Sequence, residues 1–198
     1  MNTKYTSGKY LKITLLFSLL CSFQFINATE YYLRAVTSGT RNWNDSATWS
    51  TVSSSSATNA GTFPASGDTV VYEGSSTTAI TLNITADAVC DAFTNQCSGD
   101  NSNVTINITS GITLTVNGDL YITGIANLTK NITLSGTGTL VVTGDINIGT
   151  AGVTATTNGE FTKMTFSGPN INLDGNLNIF RFLNSWLIRS ILYELDNQ

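Results

Sequence analysis

A phrase that recurs three times limits what this chain can fold into. Thr113-Leu114-Thr115-Val116-Asn117-Gly118-Asp119-Leu120-Tyr121-Ile122 returns as Thr139-Leu140-Val141-Val142-Thr143-Gly144-Asp145-Ile146-Asn147-Ile148. A weaker copy runs Asn170-Ile171-Asn172-Leu173-Asp174-Gly175-Asn176-Leu177-Asn178-Ile179. In each copy aliphatic residues stand four and two places before the glycine, and two and four places after it. That pattern reads as a strand, a bend at Gly-Asp or Gly-Asn, and a second strand facing the same core. Gly144 follows Gly118 by 26 residues and Gly175 follows Gly144 by 31. Periods of this size mark stacked repeats.

The alternation extends to either side of the phrase. Val104, Ile106, Ile108, Ile112, Leu114, Val116, Leu120 and Ile122 point one way, while Thr105, Asn107, Thr113 and Thr115 point the other. Parallel strands covered by helices on both faces would be apolar throughout. One apolar face therefore predicts a helix-free coil stacked on its neighbours, a right-handed parallel β-helix. The alternative is an antiparallel β-sandwich, whose strands also alternate.

Four segments follow. Residues 1–28 read as a secretory signal: Lys4, Lys9 and Lys12 precede an apolar stretch from Ile13 to Ile26, with small Ala28 at the cleavage point. Residues 29–59 form an N-terminal cap, 60–179 the β-helix, and 180–198 a helical or truncated tail with apolar residues at 183, 187, 191 and 195. Removing the signal takes three lysines from the nine basic residues, leaving six against thirteen acidic ones, a net of −7. The chain has no basic run, which argues against nucleic-acid partners, and no membrane span is expected after cleavage. The expected location is secreted or at the cell surface.

Candidate site residues are few. Trp43 and Trp49 could grip a sugar ring by stacking, or could instead form a lid over the apolar end of the first coil. Cys90 and Cys97 are the pair left after cleavage; an exported chain favours a disulfide between them, the alternative being two buried thiols. Gly118, Asp119, Gly144, Asp145, Gly175 and Asn176 are the repeat turns. Stacked acidic oxygens could hold calcium, but Asp or Asn after Gly is better read as turn chemistry, bonded to nearby backbone. No metal site and no cofactor is expected.

Catalysis has little support. The chain contains no His, which removes the usual general base. Glu73, Asp87 and Glu160 could pair as carboxylates of a glycosidase, yet nothing in their spacing selects two of them. Thr-x-Thr at 113–115 and 137–139 is too sparse for an ordered hydroxyl array and is read as strand propensity.

A family resemblance rests on the entry segment. Trp43 and Trp49 lead to Phe63-Pro64-Ala65-Ser66-Gly67-Asp68-Thr69-Val70-Val71, and later to the alternating string from Val104 to Leu120. Residues 43–148 thereby resemble the opening of secreted bacterial β-helix surface proteins, and are similar to the extracellular domain named for its eight glycines. The resemblance implies a β-helix at a cell surface, often beside carbohydrate-binding or carbohydrate-processing modules. The expected function is a non-catalytic adhesion or structural module meeting an extracellular polysaccharide or surface protein. The alternative is a scaffold fragment of a secreted carbohydrate-active enzyme.

Overall fold

β-Branched and aliphatic residues alternating with Thr and Asn suit a half-buried pleated surface, and strands form where that alternation runs. The structure, a computed structural model, describes residues 28–73, 79–96, 102–122, 130–149 and 162–180. Its strands fall into three sheets. The first holds β1 (Glu30–Leu33), β3 (Trp49–Ser50), β4 (Thr69–Tyr72), β7 (Ala92–Asn95), β10 (Leu120–Ile122), β13 (Ile146–Gly149) and β16 (Leu177–Phe180). The second holds β2 (Gly39–Asn42), β5 (Ala79–Ile84), β8 (Ser102–Ile108), β11 (Lys130–Gly136) and β14 (Thr162–Ser167). The third holds β6 (Ala88–Cys90), β9 (Thr113–Val116), β12 (Thr139–Val142) and β15 (Asn170–Leu173).

From β4 onward the strands visit the three sheets in strict rotation, so from β7 each pairs with the strand three places before it. Every such pairing is parallel; among the described strands only β1 with β3 runs antiparallel. The antiparallel sandwich is overturned by this ladder pattern, and the protein is an all-β chain of parallel sheets. Among the described residues no helix is long and apolar enough to cross a membrane.

Register brings like onto like. Leu82, Ile106 and Leu134 align across the second sheet, and Leu114 with Leu140 across the third. Phe93, Leu120 and Ile146 align across the first. All of these are buried in one cluster that the three sheets share. Each such side chain contributes about 1.5–3 kcal/mol by leaving water. Ile112, read as a core residue, is only half-buried because it lies in the bend before β9.

The segment expected as a cap takes part in the sheets. Within residues 29–59, β1 pairs in parallel with β4 and β2 with β5, so this segment already belongs to the sheets. The reason is legible in the side chains: Tyr31 and Leu33 alternate inward as the later strands do. The signal assigned to residues 1–28 lies outside the described residues apart from Ala28, and the 180–198 tail lies outside them apart from Phe180.

Candidate functional site

Trp43 and Trp49 offer no surface to a sugar. Their exposures are 1% and 0%, and their rings meet edge to face at 5.0 Å. The Trp49 indole N–H donates to the Trp43 carbonyl at 2.7 Å, and that of Trp43 donates to the Pro64 carbonyl at 3.2 Å. With their polar edges satisfied, both rings pack within the core cluster, so neither serves as a stacking platform. Spacing alone could not separate a platform from a lid, because both need two large aromatics side by side.

The repeat turns fall into columns between the third and first sheets. Asp119 aligns with Asp145, and Asp145 with Asn176, each one place before a first-sheet strand. Their bonding departs from the expected local turn pattern. The backbone N–H of Asp145 donates to Asp119 Oδ1 at 2.7 Å, and that of Asn176 donates to Asp145 Oδ1 at 2.8 Å. The carboxylates therefore clamp the next rank rather than their own turn. The remaining oxygens are also engaged: Tyr121 donates its hydroxyl to Asp119 Oδ2, and Asn178 Nδ2 donates to Asp145 Oδ2 at 2.9 Å. The oxygens a cation ladder would use are thus taken by N–H and O–H donors.

These bonds set the local electrostatics. The Asn176 backbone N–H, with the Asn176 and Asn178 amides, holds the Asp145 carboxyl below its usual range. The bond to Asp119 raises the Tyr121 phenol, with burial and the nearby carboxylate charges adding to the effect. Asp68 behaves as the sequence suggested, accepting from Ala65 N within its own turn at 2.9 Å, while also accepting from Thr29 N at 3.0 Å.

Cys90 is a free, wholly buried thiol among core side chains on β6. It sits as the small apolar group of the alternative reading, and burial pushes its pKa upward. Its expected bridging partner, Cys97, lies outside the described residues. Glu73 and Asp87, two of the carboxylate candidates, engage different partners. Glu73 follows β4 and accepts from Gln96, whereas Asp87 precedes β6 and accepts from Thr113 N at 2.8 Å. Glu160 is outside the described residues.

The feature that sequence reasoning missed is the outer face of the second sheet. Thr40, Thr81, Thr105, Thr133 and Thr165 fall in one unbroken column of register across β2, β5, β8, β11 and β14. Two places along each strand, Asn42, Asn83, Asn107, Ser135 and Ser167 form a second column. Neighbouring ranks are about 4.8 Å apart and the two columns roughly 6.6 Å. The amide column is tied together, Asn107 Nδ2 donating to Asn83 Oδ1 at 3.1 Å and Ser135 Oγ to Asn107 Oδ1 at 3.4 Å. No described residue hydrogen-bonds the hydroxyls of Thr81, Thr105, Thr133 or Thr165. Neither column contains a charged residue. The Thr-x-Thr pairs at 113–115 and 137–139 do not stack as pairs, since Thr113 aligns with Thr139 and Thr137 lies in a turn. The signal that could have found this face is Thr-x-Asn or Thr-x-Ser at 81–83, 105–107, 133–135 and 165–167. Such a face can donate and accept hydrogen bonds at regular intervals, and it carries no group poised for bond cleavage.

Comparison of the chain with family models, with curated proteins and with solved structures finds no match.

Proposed function

We propose that this protein is a secreted or cell-surface adhesion or structural module, without catalysis, whose three parallel sheets coil as a right-handed β-helix. Right-handedness follows from the general preference of parallel crossover connections. The observation that carries the functional reading is the pair of uncharged columns on the second sheet, where no described residue hydrogen-bonds the hydroxyls of Thr81, Thr105, Thr133 or Thr165. A polysaccharide presents hydroxyls at repeating intervals, and a rigid array of hydroxyls and amides meets it with little loss of side-chain freedom. The signal-like start and the resemblance of residues 43–148 to surface β-helices support the same reading.

A glycan array combined with a polysaccharide-degradation assay tests the proposal. Binding without turnover is expected, and replacing Thr105 and Thr133 together by Val should weaken it, since Val keeps the shape and strand propensity while deleting the hydroxyl. Turnover of any glycan, abolished by a single carboxylate substitution, would instead establish the enzyme-scaffold alternative.

A further inference from the structure

The described residues contain two arginines, Arg34 and Arg41, and both line one cleft of about 350 Å³ in the first ranks of the sheets. Arg34 directly follows β1 and Arg41 lies in β2, with the Thr37 turn between them. In a chain with few charges, their convergence is a product of the fold. Thr37, Thr40, Asn42, Asp45 and Thr48 complete the polar lining.

Both guanidinium groups are held by neutral oxygens. Arg34 donates from Nε to the Ser56 carbonyl at 3.0 Å, from Nη1 to the Ala47 carbonyl at 2.8 Å, and from Nη2 to the Ala57 carbonyl at 2.7 Å. Arg41 donates from Nη2 to the Thr37 carbonyl at 2.9 Å and to Thr37 Oγ1 at 3.1 Å, and from Nη1 to the Thr40 carbonyl at 3.2 Å. No described carboxylate pairs with either arginine. Backbone carbonyls orient the cations without neutralising them, and a guanidinium has more N–H donors than these bonds consume. Asp45 is the acidic residue of the lining; its Oδ1 accepts from Ala47 N at 2.9 Å, capping the short helical turn Ser46–Thr48.

We infer that this cleft binds the carboxylate of an acidic sugar, one uronic-acid unit of an extracellular polysaccharide. Two guanidinium groups and one carboxylate leave a single net positive charge, which suits a monoanion. The planar donor fork of arginine matches a carboxylate. Threonine hydroxyls, the Asn42 amide and the unengaged oxygen of Asp45 are suited to the sugar's hydroxyls. The cleft volume sits near the lower end of ligand pockets, about 300–1,000 Å³, as a single sugar unit requires. The inference rests on the reading of this protein as an extracellular binding module and adds a charged-ligand site where the two neutral columns end, at Thr40 and Asn42.

The test uses the full chain and three probes: oligogalacturonate, its methyl ester, and a sulfated galactan, each titrated calorimetrically. Oligogalacturonate should bind, and esterification, which removes the charge, should weaken it at least about tenfold. Arg41→Gln should cause a similar loss with an unchanged thermal melt, because Arg41 bonds only to its own exposed turn. Added salt should weaken binding of the acid alone. Equal binding of acid and ester, undiminished binding by Arg41→Gln, stronger binding of the sulfated galactan, or no binding of oligogalacturonate would each overturn the assignment. The ester comparison needs no variant and stands even where Arg41→Gln fails to fold. Neutral-glycan binding lost with Thr105→Val plus Thr133→Val, alongside oligogalacturonate binding indifferent to Arg41→Gln, would overturn the cleft alone and leave the module reading intact.

Discussion

At the residue scale, Gly144 shows why the repeated phrase could be read so readily. A Cβ built there would stand 2.6 Å from the Gly118 carbonyl oxygen of the preceding rank, and one at Gly118 would stand 2.5 Å from the Asp91 carbonyl oxygen. The Gly144 N–H donates to that same Gly118 oxygen at 3.0 Å, so the two backbones are bonded across the space a side chain would need. Close approach forces glycine, and glycine at fixed intervals is visible in a sequence. Gly144→Ala should therefore cost roughly 1–3 kcal/mol, as inserted groups do in tightly packed sites. Urea unfolding followed by circular dichroism measures it, and an unmoved midpoint would show that the ranks can part freely. Arg34 and Arg41 illustrate the opposite case. Each is ordinary in its own segment, and only the folding of β1, β2 and the 45–48 turn brings them to one cleft. No local pattern announces such a meeting.

At the scale of elements, strand faces were readable and strand partners were less so. Period-two alternation reports which side chains enter the core, while the partner depends on loop lengths that vary between ranks. Thr69 aligns with Ala92 and Phe93 with Leu120, yet the Gly-Asp that leads into β4 at Gly67-Asp68 and into β10 at Gly118-Asp119 is replaced before β7 by Cys90-Asp91. Residues 29–59 contain no Gly-Asp at all and read as a cap. The acidic turns that link ranks give a pH-dependent contribution. The folded Asp145 carboxyl lies below its ordinary value of 3.8, held there first by the Asn176 backbone N–H. A depressed carboxyl contributes stability above its unfolded value and loses that contribution as pH falls through the folded one. Wild-type protein should thus lose melting temperature below about pH 4. Asp145→Asn, which keeps an acceptor oxygen but not the titration, should lose less over the same interval. Parallel pH profiles for the two proteins would show that this clamp carries no linkage.

At the scale of the whole molecule, stability should be graded along the stack, because each rank is covered by its neighbours. In the second sheet Leu134 is 0% exposed, while Phe166, its partner on β14, is 44% exposed. In the first sheet Ile146 and Ile148 are 1% and 8% exposed, while their partners Leu177 and Ile179 on β16 are 40% and 46% exposed. The inward positions of β14 and β16 therefore keep apolar surface in water and gain less from burial than the same positions one rank earlier. Backbone hydrogen bonds of low local burial open without global unfolding. Native-state hydrogen exchange should accordingly find the amides of β14, β15 and β16 exchanging on the order of tenfold or more faster than those of β8 and β11. The fast class should follow rank rather than sheet, since one rank contributes a strand to each of the three sheets. Uniform protection from β5 through β16 would mean that the stack opens as one unit and that burial at each rank does not set its local stability.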